Sequence, residues 1–115
     1  MNKLLQVCIA GAVAFSALPT LAADAVTAGN AKAAEAKISM CIGCHQIPNY
    51  KASFPDVYSV PLIKGQNPKY IEAALQAYKK GERNHLTMQS VAKGLSDQDI
   101  ADIAAYYGAA NASTK

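Results

Sequence analysis

Tryptophan is absent from this 115-residue sequence, and aromatic residues make up only 7% of it. Charged residues are also few, at 17%, and the formal net charge is only +3. A chain of this length forms one domain rather than two. The small positive excess, with lysines scattered along the chain, argues against a nucleic-acid-binding protein. The apolar fraction of 51% excludes a disordered chain, although 23 of those residues are alanines, which bury little area each.

The N-terminal segment is the most apolar part of the chain. Lys3 provides a positive charge, residues 4–18 are largely apolar, and small residues precede Ala23. We therefore expect residues 1–23 to be a signal peptide that directs export and is cleaved after Ala23, leaving residues 24–115 as the mature domain. The alternative is a retained membrane anchor, because the segment has about the minimum length of a membrane-spanning helix.

Cysteine is scarce, with three residues in the whole chain. Cys8 lies inside the apolar run rather than after it, which argues against lipid modification, and cleavage would remove it. Cys41 and Cys44 would remain in a domain with a thin core, and such domains usually need disulfides, a metal or a cofactor. A disulfide closing a four-residue loop would add little stability, so we expect a larger stabilising group.

Strand signals are weak, whereas helix signals recur along the mature chain. We predict three main helices: Ala28–Met40, a second that begins at Asn67 and Pro68 and ends at Gly81, and a third between Ser96 and Gly108. Ser96 and Asp99 resemble a capping box. Two apolar faces should be buried, formed by Ile71, Ala74, Leu75 and Tyr78 and by Ile100, Ile103, Ala104 and Tyr107. Residues 46–66 and 82–95 are expected to be loops, with at most one helical turn near Val91.

The motif Cys41-Ile42-Gly43-Cys44-His45 has the C-x-x-C-H spacing of c-type haem attachment. Two thiols on a tight turn can reach the two vinyl groups of one haem, and the following His45 can bind the iron. Gly43 permits a close approach of the backbone. The sequence therefore predicts one haem c, bound covalently through Cys41 and Cys44.

Three other interpretations of the two cysteines compete with haem attachment. A thioredoxin-like dithiol requires a βαβ context, which the sequence lacks. A zinc site requires four well-spaced ligands, and His85 is the one further histidine outside the motif. A plain disulfide would leave the thin core unexplained.

Met88 is the candidate for the second axial ligand of the iron. It lies in the predicted loop before the last helix, whereas Met40 adjoins Cys41 and should not reach the opposite ring face. His/Met ligation raises the reduction potential and closes the iron to external ligands. The alternatives are that Met88 fills a gap in the core, or that His85 binds the iron instead.

With these motifs, the sequence resembles the class I c-type cytochromes. The most similar kind is the small bacterial monohaem protein, such as cytochrome c553 and the domains of cytochromes c4 and c5. The resemblance implies an all-α cytochrome c fold, with three main helices and long loops around one haem. It also implies electron transfer in the bacterial periplasm and no catalysis. The likeness is carried by Cys41–His45, Pro61–Gln66 with Tyr70, Tyr78–Arg83 through Met88, and Gly94–Tyr107.

Carried over by position, Pro61 should offer its carbonyl oxygen to the second ring nitrogen of His45. Gln66, Tyr70 and Arg83 should lie near the haem edge and propionates, although ordinary surface roles fit them nearly as well. The loop at 46–60 is longer and more aromatic than in the shortest relatives, so it covers the haem or contacts a partner.

The function expected from the sequence is one-electron transfer between redox proteins. A dehydrogenase or reductase would donate the electron and an oxidase or reductase would accept it, through small interfaces. Five lysines form either a basic rim for an acidic partner or an ordinary solvated surface: Lys64, Lys69, Lys79, Lys80 and Lys93. Two other functions stay open: a haem subunit docked to a larger dehydrogenase or oxidase, and a haem enzyme or gas sensor whose sixth position opens.

Overall fold

The structure, a computed structural model, describes residues 27–51 and 59–109. No strand occurs in these two ranges, which carry one isolated bridge between Lys51 and Ser59. The all-α fold expected from the sequence is therefore confirmed. The helices are α1 (Ala31–Ala34), α2 (Ser39–His45), α3 (Pro68–Lys80), α4 (Leu86–Lys93) and α5 (Asp97–Gly108). None of the helices described is long and apolar enough to cross a membrane.

The first predicted helix is wrong in its extent, because Ala28–Met40 is divided into two helices. Asn30 caps α1 by accepting hydrogen bonds from the backbone of Lys32 and Ala33. The chain then tightens, and the amide of Lys37 donates to the carbonyl of Ala34, three residues earlier, at 2.7 Å. Strong helix formers continue through this turn, so packing of the buried segment overrides local propensity here. The attachment motif consequently lies on helix α2 rather than on a tight turn.

The second predicted helix is confirmed with its capping signals. The side chain of Asn67 accepts a hydrogen bond from the amide of Lys69 at 2.9 Å, and Pro68 is the first helical residue of α3. Gly81 ends α3 in the left-handed conformation at a φ of 81°, which glycine adopts without steric cost.

The last predicted helix is confirmed, and the loop before it is wrong. Ser96 and Asp99 form the capping box of α5, with reciprocal hydrogen bonds of 3.0 and 2.9 Å. Residues 86–93, expected to be mostly loop, form the two-turn helix α4. The ring nitrogen of His85 caps α4 by accepting the amide of Met88 at 3.4 Å. Histidine is not a favoured capping residue, so the sequence carried little signal for this start.

Helix α5 lies at the centre of the fold, packed against α1 and α3, while α4 packs against α3. Its apolar face is buried as predicted, with Ile100, Ile103, Ala104 and Tyr107 at most 2% exposed. Gly29 allows the N-terminal segment to approach α5 closely, because a Cβ atom there would lie 2.1 Å from the carbonyl oxygen of Ala101.

Asp102 on α5 is a buried carboxylate that holds the N-terminal segment. It accepts hydrogen bonds from the amide of Asn30 at 2.8 Å, the side chain of Gln98 at 3.0 Å and the ammonium of Lys37 at 3.1 Å. These contacts lower the pKa of Asp102, and the hydrogen bond from the Asn30 amide contributes most. Lys37 also pairs with Asp99. The carboxylate is thus satisfied at both oxygens, which permits its burial.

Candidate haem site

Helix α2 positions the two thiols of the attachment motif. Cys41 and Cys44 are half-buried free thiols, and residues three apart lie on the same side of an α-helix. Cys41 packs against the hydrophobic core, and burial raises the pKa of its thiol. The helical spacing therefore places the two thiols on the same side of α2.

His45 is the last residue of α2, and a hydrogen bond fixes its ring. Its Nδ1 atom lies 2.7 Å from the carbonyl oxygen of Pro61. A carbonyl oxygen can only accept, so Nδ1 carries a proton, and in the neutral ring the lone pair is on Nε2. The structure thus brings together His45 and Pro61, the pair expected from the resemblance, and leaves Nε2 as the ring nitrogen available to a metal.

A cavity of about 390 Å³ lies beside this imidazole. Its lining consists of His45, Gln46, Leu62 and Lys64. The side chain of Leu62 is 57% exposed, so the lining combines an imidazole with apolar surface. This cavity places open space beside the imidazole, but its lining includes neither Cys41, Cys44 nor Met88. A slightly larger cavity of about 430 Å³, between the N-terminal segment, α3 and α5, holds none of the predicted site residues.

Met88 lies in the first turn of α4 rather than in a loop. It is half-buried and packs against the hydrophobic core. Axial ligation by Met88 stays a prediction, because a core methionine would occupy the same place. The rival ligand His85 is exposed, and its Nδ1 atom accepts the amide hydrogen of Met88 as the helix cap.

The structure brings Arg83 and Tyr70 into contact, whereas Gln66 makes a different contact. The Arg83 guanidinium donates a hydrogen bond to the Tyr70 hydroxyl at 3.1 Å and lies 5.0 Å from the ring centre of Tyr78. The hydrogen bond to Tyr70 is the main cause that raises the pKa of Arg83. Gln66 instead accepts the amide hydrogen of Asn67 at 2.8 Å, at the start of α3. Tyr78 was expected only in the apolar face of α3, so its contact with Arg83 was missed.

Tyr107 is a further residue that the sequence did not single out for the site. Its side chain is 1% exposed, and its hydroxyl finds no hydrogen-bond partner within the described residues. Burial, followed by negative charge at Cys41, raises the pKa of Tyr107 to about 12. A buried hydroxyl without a partner costs about 1–3 kcal/mol, so a group from outside the chain is expected to complete this region. Two free thiols for the vinyl groups and one imidazole nitrogen for the iron are the groups that haem c attachment requires.

Other metal sites find no support in the parts of the chain that the structure describes. No group of three or more His, Cys, Asp or Glu side chains converges there. A structural zinc ion needs four such donors, so the zinc alternative lacks its ligands within those ranges.

Comparison with known proteins supports a haem site in this chain. The protein-family model described as cytochrome c matches residues 26–107. The chain is 43% identical over 83 residues to cytochrome c-554(548) of Halomonas halodenitrificans, covering 70% of this chain and 95% of that protein.

Two longer relatives match over only part of their length. Cytochrome c4 of Pseudomonas aeruginosa is 36% identical over 86 residues, which are 70% of this chain and 38% of that protein. The cytochrome subunit of sulfide dehydrogenase from Chlorobaculum tepidum is 38% identical over 68 residues, 59% of this chain and 57% of the subunit. The chain therefore spans less than two thirds of these two proteins.

Proposed function

Because this chain belongs to the cytochrome c family, we propose that it is an exported electron carrier whose single haem iron is held by His45 and Met88. Electron transfer through haem is the function of the family, and haem c is bound covalently through Cys41 and Cys44.

The observation that carries the proposal is the hydrogen bond between His45 and Pro61. It orients the imidazole, leaves Nε2 free and makes that nitrogen a stronger electron donor. When bound, the haem supplies an iron ion that cycles between the ferrous and ferric states. A ligand ring fixed by the backbone moves little as the charge changes, so little reorganisation opposes electron transfer.

Met88 is proposed as the ligand on the other side of the haem. Residues 24–115 contain two methionines, and Met40 is 58% exposed on the attachment helix itself. Met88 is half-buried on α4, a separate element from the one that carries His45. A His/Met pair fills both axial positions, which favours a carrier over an enzyme or a gas sensor.

The periplasm is the proposed compartment. The proposed signal peptide at 1–23 falls outside the described residues, so this part depends on the amino-acid pattern alone. Membrane association would require that this segment be retained.

Redox partners would dock weakly near the cavity beside His45. Leu62 and Lys64 supply exposed apolar area and a positive charge there.

The proposed basic rim is smaller than the sequence indicated. Lys69 pairs with Glu72 at 3.1 Å and Lys79 with Asp97 at 2.8 Å. Lys64, Lys80 and Lys93 make no ion pair with any residue in the described ranges, and we propose that they face an acidic dehydrogenase, reductase or oxidase.

A second candidate function is that of a haem subunit held by one larger enzyme. The similarity to a cytochrome subunit of sulfide dehydrogenase favours it. Purification of the tagged protein from its native host separates the two: a free carrier elutes alone, whereas a subunit elutes with one large partner in fixed ratio.

The ligand assignment is tested by Met88→Ala in the purified holoprotein. We expect the weak thioether-to-iron absorption at the red edge of the ferric spectrum to disappear and the midpoint potential to fall. The reduced variant should bind carbon monoxide rapidly. Met40→Ala is the matched control and should keep the original spectrum and potential. An unchanged Met88→Ala spectrum would refute the assignment and favour the open-site alternatives.

A further inference from the structure

The side chain of Tyr107 is held in one orientation inside the fold. Its ring lies edge-on to that of Tyr106, with centroids 5.1 Å apart. Its backbone carbonyl accepts the amide hydrogen of Gly65 at 2.9 Å, which ties this turn of α5 to the segment that leads into α3. The ring is among the largest fully buried side chains of the described residues, so the hydroxyl cannot rotate out to solvent.

The hydroxyl of Tyr107 needs a partner that the described chain does not supply. No donor or acceptor in the described residues reaches it. If packing alone were required, phenylalanine would fill the same volume without the cost of burying an unpaired hydroxyl. The hydroxyl is therefore expected to bond to a group that is added to the chain after synthesis.

The surroundings of Tyr107 indicate which group this is. Cys41 packs against the hydrophobic cluster to which Tyr107 belongs. After burial, the next largest cause that raises the pKa of Tyr107 is negative charge at Cys41. Haem attachment converts the Cys41 thiol into a thioether, which is fixed in place and carries no proton of its own. A thioether sulfur is a weak acceptor, so it can take a hydrogen bond from a phenol that has no other partner.

We propose that the Tyr107 hydroxyl donates a hydrogen bond to the thioether sulfur that joins Cys41 to the haem, which makes Tyr107 a positioning residue for the cofactor. The inference depends on haem attachment at Cys41 and not on ligation by Met88. The bond withdraws electron density from the attached edge of the porphyrin, which favours the ferrous state. It also anchors one edge of the haem to α5.

The test compares Tyr107→Phe with Tyr106→Phe in the holoprotein. Tyr106 is the matched control because it is the neighbouring half-buried tyrosine on the same helix. In Tyr107→Phe we expect a shift of the thioether carbon–sulfur band in the resonance Raman spectrum and a lower midpoint potential. The equilibrium constant for unfolding should rise about fivefold through loss of one hydrogen bond. Tyr106→Phe should leave the Raman band and the potential in place.

A second measurement uses the unmodified protein. Exchange into heavy water deuterates the phenol, and the same carbon–sulfur band should shift in the wild type but not in Tyr107→Phe. If the band is unchanged in both experiments, the inference is overturned, whether or not stability falls. The red-edge absorption, which reports on Met88, should persist in both tyrosine variants, so failure here and failure of the proposed axial ligand are distinguished.

Discussion

The imidazole of His45 and the carbonyl of Pro61 form a 2.7 Å hydrogen bond that connects the end of α2 to the segment leading into α3. The bond determines which ring nitrogen is left to bind a metal. It also joins the attachment motif to a part of the backbone that proline holds at a fixed φ. The ligand geometry is therefore set by two separate segments rather than by the motif alone.

Pro61→Gly should raise the midpoint potential of the holoprotein. Glycine frees the backbone, weakens the carbonyl contact and makes the His45 imidazole a poorer electron donor to the ferric ion. Redox titration of the purified variant measures the effect. Pro48→Gly is the matched control, because Pro48 is exposed in the turn after α2. Equal potentials for both variants and the wild type would contradict the role given to the Pro61 carbonyl.

Gly29→Ala should destabilise the protein by about 1–3 kcal/mol, the usual cost of overpacking. The added Cβ would lie 2.1 Å from the carbonyl oxygen of Ala101, so the N-terminal segment must move away from α5. Gly94→Ala is the control, since its nearest neighbour would be at an ordinary 3.5 Å. Denaturant unfolding of both holoproteins measures the difference, and equal stabilities would exclude a close approach at Gly29.

Much of the fold was predictable because its signals are local. Asn67 and Pro68 at the start of α3, Gly81 at its end, and the Ser96–Asp99 box each lie within a few residues of the backbone groups they satisfy. The apolar face of α5 follows from helical spacing in the same way. The start of α4 was missed because a histidine provides the cap.

The contacts that were not predicted join residues far apart in the sequence. Asp102 accepts the amide of Asn30 across 72 residues, and nothing near Asp102 distinguishes it from an exposed helical aspartate. Tyr107 was placed correctly on the buried face, but the lack of a partner for its hydroxyl depends on packing from several elements. The chemistry of the motif was readable because spacing alone specifies it.

Acid should weaken the attachment of the turn after α1 to α5 through Asp99. The ammonium of Lys37 and the cap contact with Ser96 lower the pKa of Asp99 to about 2 from an ordinary value near 3.8. A lowered pKa stabilises the folded state above the ordinary value, and that contribution is lost as the pH falls toward 2. Unfolding of the holoprotein between pH 6 and pH 2 should therefore show a steeper decline for the wild type than for Asp99→Asn.

Glu35→Gln is the control for this titration, because Glu35 is exposed and makes no ion pair within the described residues. It should keep the wild-type decline. Parallel curves for the wild type and Asp99→Asn would show that the Lys37 contact carries no pH-dependent stability.

Arg83→Gln should destabilise the junction between α3 and α4 by about 1 kcal/mol. The variant loses the cation–π contact with Tyr78, whose ring centre is 5.0 Å from the guanidinium, and the hydrogen bond to Tyr70. The matched control is Lys80→Gln, which removes an exposed positive charge from the last turn of α3. Denaturant unfolding in low and moderate salt separates the two effects. A loss confined to Arg83→Gln and insensitive to salt supports the aromatic contact, whereas equal, salt-dependent losses in both variants would assign the effect to net charge alone.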